Sequence, residues 1–300
     1  MHHRNRIAWV MGIILYSGIF FTGCSIQGQY THDNPLSQNP KYTGMIIPIS
    51  VPVSAEYRPV SMNTKSDGSI ETLMFVDGKE KKEVSNTSTF SNTKISAIGD
   101  KLEWVTTIHK MVFANKTYES KIPIKEIREI SNRYGLIEEM EISYPRLLQE
   151  GNKEIPSPGS DAYEQEKKEA KFGQRVLSSE PIITGSVLFR WDLSEMFRLI
   201  PEASTIIPNG EGKLEYIVKG WSYYKDRKVL VTEVAFNKSF QINYNNNEVA
   251  VSISLIGYSL FDAQTFALLE EEFILIFEGT VSGERGYFNK IAARNLSVIQ

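Results

Sequence analysis

The sequence predicts a mainly β protein with a few short helices, an α+β chain of antiparallel meanders laid out as two lobes or as one pseudo-duplicated sheet. Segments rich in β-branched and aromatic residues recur along the chain. Short clusters of Asn, Asp, Gly and Lys separate them at hairpin spacing. The cleanest segment, residues 248–261, alternates Val249, Val251, Ile253 and Leu255 with Ala250, Ser252 and Ser254, the period-2 signature of a strand with two unlike faces.

Residues 44–148 form the first β-rich stretch. Residues 45–53 are apolar but carry Pro48 and Pro52, which suits an edge strand or an extended lead-in. Residues 70–76 read as a strand ending at Asp77-Gly78, a hairpin signal. Residues 79–94 are polar and rich in Ser, Thr and Asn, the composition of a long loop or an irregular, exposed strand. Residues 102–113 are a strand by their β-branched and aromatic content, and Ala114-Asn115-Lys116 turns it. Residues 134–144 alternate imperfectly, and a helix over 124–140 competes with that strand.

Residues 149–180 break the pattern. Their first part is a Gly- and Pro-containing linker. Residues 161–172 follow as a highly charged surface helix, capped by Ser160 or Asp161 and stopped by Gly173. Residues 181–300 form the second β-rich stretch. A short helix is expected over 191–200, capped by Asp192 and ended before Pro201. Strands follow over 214–224, 229–236, 248–261 and 266–280, with turns at 225–228, 245–247 and 262–265. Residues 287–299 suit a final strand or a short helix. Residues 134–139 and 266–271 share a six-residue likeness, which fits two similar hairpin returns as well as it fits a duplication.

The N-terminus carries the most specific signal. Arg4 and Arg6 precede residues 7–21, which hold no charge, the layout of a secretory signal. Phe21-Thr22-Gly23-Cys24 follows, and Cys24 is the only cysteine of the chain. This resembles the bacterial lipobox, an apolar residue and two small ones before a cysteine; Phe21 stands where Leu is usual. The resemblance implies cleavage after residue 23, thioether lipidation of Cys24 and acylation of the new amine. Polar residues 24–43 then read as a lipidated cysteine and its tether. Two or more acyl chains give stable anchoring. Ser25, not Asp, follows the cysteine, so the expected location is extracytoplasmic, on the outer membrane in an organism that has one.

Composition removes several function classes. Of 33 basic residues, Arg4 and Arg6 fall in the signal, leaving 31 against 36 acidic, a net charge of −5. That balance gives no basic stripe for nucleic acid. A single cysteine allows no internal disulfide and no multi-cysteine metal site. Beyond the signal only His32 and His109 remain. His109 sits mid-strand, so no His-based triad or metal set is assembled. No catalytic residue, metal ligand or cofactor is assigned.

Acidic residues cluster twice, at Glu138, Glu139 and Glu141 and at Glu270, Glu271 and Glu272. They read first as exposed strand faces that resist edge aggregation, and second as paired carboxylates for glycoside cleavage or calcium. Trp104, Trp221 and Tyr223 are the candidate ligand-lining residues. Three functions are expected in order: a membrane-anchored, non-catalytic binding module for a lipid or other apolar envelope molecule; a structural or assembly component that docks another envelope protein; and a carboxylate-dependent hydrolase.

Overall fold

The computed structural model describes residues 43–76, 79–113, 116–130, 134–135, 137–143, 161, 175–193, 203–205, 212–244, 247–281 and 284–300. Residues 1–42, where the signal peptide, Cys24 and the tether are expected, and the charged helix expected over 161–172 (Asp161 apart) lie outside the described residues. So do residues 194–200 of the helix expected after Trp191.

Among the described residues thirteen strands form one antiparallel sheet. In chain order they are β1 (Thr43–Ile47), β2 (Val60–Val76), β3 (Lys79–Ile98), β4 (Lys101–Phe113), β5 (Lys116–Ile130), β6 (Ile137–Ser143), β7 (Val187–Asp192), β8 (Ala203–Thr205), β9 (Lys213–Tyr224), β10 (Arg227–Tyr244), β11 (Asn247–Asp262), β12 (Leu268–Val281) and β13 (Glu284–Ile299). Across the sheet the order is β1-β9-β10-β11-β12-β13-β2-β3-β4-β5-β6, with β7 on β9 and β8 on β10. Two meanders, β2 to β6 and β9 to β13, meet at the β13–β2 seam, which runs in register from Ile299↔Met62 to Tyr287↔Met74. The two β-rich stretches of the sequence therefore share one sheet.

Local chemistry explains much of this. Strand β9 buries every second residue from Leu214 to Tyr224, as a half-buried strand must. Its turn to β10 needs only Lys225 and Asp226, both at positive φ (48° and 62°), the geometry of a type I′ hairpin. Lys219 and Gly220 form a bulge, since Val231 pairs with Gly220 and Thr232 with Val218. Gly220 has φ +145° and passes so close to β1 that an added Cβ would lie 2.5 Å from the Ile47 carbonyl oxygen. Between β11 and β12, Asp262 Oδ2 accepts from the Gln264 and Thr265 amides and the Thr265 hydroxyl, an Asx-type turn.

The structure corrects three expectations. Residues 79–94 are not a loop but most of β3, a strand of 20 residues. Its Thr87, Thr89, Ser91 and Thr93 are buried, not exposed. They lie opposite Gly68, Ser66, Thr64 and Met62 of β2, and hydroxyl pairs such as Thr93–Thr106 and Thr64–Ser297 satisfy the buried polar atoms. The competing helix over 124–140 gives way to β5 and β6; pairing of Leu102 to Ile108 with Ile130 to Ile124 outweighs local helix propensity. Trp191 and Asp192 belong to β7, because Trp191 pairs with Leu214 and Asp192 with Lys213; helical geometry starts only at Leu193, directly after the expected cap Asp192. Residues 287–299 are strand throughout.

Two segments cover one face of the sheet, here termed inner. Residues 49–57 and 175–193 are joined by the Val53–Ile182 bridge. Their Ile49, Tyr57, Leu177, Ile182, Leu188, Phe189 and Leu193 enter the main core cluster. That cluster reaches Met62, Ile95 and Leu102 of one meander and Leu255, Phe273 and Phe277 of the other. Fully buried apolar side chains such as Ile182, Leu188 and Phe261 each stabilise the fold by about 1.5–3 kcal/mol. A smaller cluster of Tyr224, Val229, Val231, Tyr258, Leu260 and Leu269 stands apart from it.

Candidate functional site

The most unusual feature is charge at the centre of the sheet. Glu270, Glu271 and Glu272 open β12, which lies between β11 and β13 with no free edge. All three are buried, at 0%, 0% and 9% exposure. The expectation of an exposed acidic face is therefore corrected: apolar residues flank the triplet and neighbouring strands cover both edges. Successive strand residues point to opposite faces, so Glu271 parts from Glu270 and Glu272.

On one face, Arg294 donates from Nε and Nη2 to Glu270 Oε1 at 3.1 and 2.7 Å. The Tyr258 hydroxyl lies 3.3 Å from Glu270 Oε1 and 3.2 Å from Glu272 Oε2. Register makes this set, because Tyr258, Glu272 and Arg294 are cross-strand partners. Burial, then Glu270 and Glu272, holds the Tyr258 hydroxyl well above the ordinary tyrosine value. Burial followed by Glu270 does the same to Tyr224.

On the inner face, Glu271 takes Ser259 Oγ at 3.1 Å, Asn295 Nδ2 at 2.7 Å and Arg175 Nη2 at 2.5 Å. Ser66 Oγ continues the row to Asn295 Oδ1 at 3.3 Å. One row thus crosses β11, β12, β13 and β2. Arg175 also lies against the rings of Phe189 and Trp191, 5.9 and 5.8 Å from their centroids. Its carbonyl accepts from the Tyr57 hydroxyl. Beside it, Tyr216 stacks on Phe189 with centroids 4.1 Å apart. The Tyr216 hydroxyl is buried and finds no hydrogen-bond partner among the described residues. Burial and then Glu271 push its titration far up, against a smaller opposing effect of Arg175. Chemically this row is a latch that pins the covering segment to the sheet.

Beyond the latch the inner face turns apolar. Phe236, Leu255 and Leu275 lie in one row, Ile253 with Phe277 and Val251 with Phe240 in others. Gly257 opposes Phe273 so closely that a Cβ would meet the Phe273 Cβ at 2.6 Å; glycine makes the space the ring occupies.

The sequence-derived candidates fall in different places. Trp104 on β4 packs half-buried on the main core, edge-on to Tyr57 with centroids 5.3 Å apart. Trp221 on β9 packs on the same core, with Lys228 Nζ 4.5 Å from its ring centroid. Tyr223 is exposed and pairs with Thr43 and Lys228. Cys24, Phe21, Thr22 and Gly23 lie outside the described residues. His109 is the exposed bulge residue between Ile108 and Lys110, hydrogen-bonded to Asn92. Glu139 and Glu141 lie on the edge strand β6. Sequence reasoning missed Arg175 and Tyr216. The signal for Arg175 was an arginine directly before Val176 and Leu177, where the polar run meets the next apolar stretch.

No family model and no curated protein matches the chain. Among solved structures, one described as "Lipid-protein interactions in lipovitellin" is similar over 82% of this chain and 25% of that chain, at 9% identity and a TM-score of 0.34.

Proposed function

We propose that the protein is a bacterial lipoprotein anchored through Cys24 outside the cytoplasm, and that its β domain is a binding module for a lipid or another apolar envelope molecule. One observation carries the reading. A single sheet must have its apolar face covered, and among the described residues the 49–57 and 175–193 segments, with Tyr134 and the 266–267 turn, join the core over the inner face. Past the latch, Phe240, Leu255, Phe273, Leu275 and Phe277 are buried and Phe236 half-buried, a phenylalanine-rich interior of the kind that apolar ligands select. The Tyr216 hydroxyl beside that interior is a hydrogen-bond donor available to a ligand carbonyl or carboxylate.

The test is mass spectrometry of an organic extract of the purified soluble fragment 25–300. The expected result is one lipid class, recovered reproducibly at near-equal stoichiometry. A clean extract would sink the carrier reading and shift the weight to a component that docks another envelope protein, which crosslinking in intact cells would then seek.

A further inference from the structure

The end of the sheet at which the chain enters carries exposed apolar side chains. Met45 and Val51 are 84% and 72% exposed, and Ile47, Ile183 and Tyr223 stand about half out. They share one corner. Strand β1 pairs with β9 through Thr43↔Tyr223 and Ile47↔Trp221. Thr184 hydrogen-bonds Ile49 through both its amide and its hydroxyl, which brings Ile183 alongside. Scattered exposed apolar residues are ordinary, but a contiguous group at one corner marks a contact surface.

The same corner is aromatic and basic. The β9–β10 hairpin reads Trp221-Ser222-Tyr223-Tyr224-Lys225-Asp226-Arg227-Lys228. Lys225 Nζ lies 4.8 Å from the Tyr224 ring centroid and Lys228 Nζ 4.5 Å from that of Trp221. Asp262 offsets Arg227. Lys225 and Lys228 are exposed, so their charge remains available. Aromatic rings with lysines beside them suit the boundary between headgroups and acyl chains. Lys225, Arg227 and Lys228 against Asp226 and Asp262 leave a net charge of +1 at this corner, on a chain that is negative overall.

We infer that this corner is a membrane-contacting surface, resting on the phospholipid bilayer that holds the anchor. The inference rests on the lipoprotein reading above. Residues 25–42 separate Cys24 from β1, a reach of about 65 Å at most. The tether ends at the patch itself, so the anchored chain presents this corner first. Met45, Ile47, Val51 and Tyr223 then enter the headgroup–acyl boundary, while Lys225 and Lys228 meet lipid phosphates.

The test uses the full-length protein purified from membranes and reconstituted in vesicles of phosphatidylcholine and phosphatidylglycerol. Met45→Cys is labelled with an environment-sensitive fluorophore. Gln241→Cys, exposed and up to about 45 Å further along β10, serves as the control. The expected result is a blue shift at position 45 and quenching by lipid-borne bromine at least about two-fold stronger than at 241. A Lys225→Ala/Lys228→Ala variant should weaken that contrast. Equal quenching at both sites overturns the inference, and so does a blue-shifted label at 45 that lipid quenchers do not reach, which would place a protein there. Wild-type protein takes the label only if Cys24 keeps a free thiol. Labelled wild type removes the anchored reading and this inference together; unlabelled wild type with equal quenching removes this inference alone.

Discussion

Arg175 Nη2 lies 2.5 Å from Glu271 Oε2, an ion pair buried between a covering segment and the central strand of the sheet. Its partners stand 96 residues apart. Breaking one side of such a pair leaves the other buried without its counterpart. Arg175→Met should therefore lower unfolding free energy by about 3–5 kcal/mol. The double variant Arg175→Met/Glu271→Leu should recover much of that loss. Urea midpoints of the two singles and the double check this; a double as damaged as the sum of the singles would show that the groups act independently.

Alkaline pH should loosen the fold through Tyr258 and Tyr224. Both hydroxyls titrate above the ordinary value of 10.0, because burial and the neighbouring Glu270 disfavour the charged phenolate. A raised folded-state value means that the unfolded chain loses its proton first. Stability is then intact below about pH 10 and declines as pH rises further. The slope of urea midpoint against pH between about pH 9 and about pH 11 should be shallower in Tyr258→Phe. An unchanged slope would exclude Tyr258 as a contributor. At neutral pH the same variant should lose about 1–3 kcal/mol, since Glu270 and Glu272 give up a buried donor.

Gly220→Ala should undock β1. The new Cβ would strike the Ile47 carbonyl oxygen and the Ile46 side chain, at a φ of +145° that side chains rarely adopt. The expected cost is about 2–4 kcal/mol, read as a fall in Tm together with faster proteolysis near residue 47. Gly99→Ala is the matched control. It too has positive φ, but nothing lies within 4 Å of its added Cβ, so its cost should stay near 1 kcal/mol.

Cys24→Ser should block lipid attachment. The variant is expected to accumulate as the precursor, with residues 1–23 retained and no incorporation of labelled fatty acid. A labelled, shortened product from that variant would mean that Cys24 is not the acceptor.

The parts of the fold legible in the sequence are those set by near neighbours. The alternation from Val249 to Leu255 depends on each residue and the next, and β11 appears where it is read. The turn at Lys225 and Asp226 lies within the stretch of turn residues expected there. The surrounding strands β9, β10 and β12 keep their expected order, though β10 runs on to Tyr244. Residues 79–94 misled because their Ser and Thr side chains look solvent-facing in isolation. Thr93 meets Thr106 on β4, and Ser88 donates to Ser66 and Asp67 on β2, partners that no local reading supplies. The site was less legible than the fold. Trp104 and Trp221 do border the main core, but the latch uses Arg175, Tyr57 and Tyr216, none of which the sequence singled out.

The sequence by itself determined that this chain is antiparallel β, where most strands and hairpins fall, and that Cys24 stands in a lipobox-like context, because strand alternation, turn chemistry and a peptidase motif are all short-range properties. Only the tertiary structure decided that the two β-rich stretches join at the β13–β2 seam and that Glu270, Glu271 and Glu272 are buried. It alone set Arg175 against Glu271. A carboxylate in a strand is exposed or buried according to the strands on either side, and those neighbours come from register across the whole sheet.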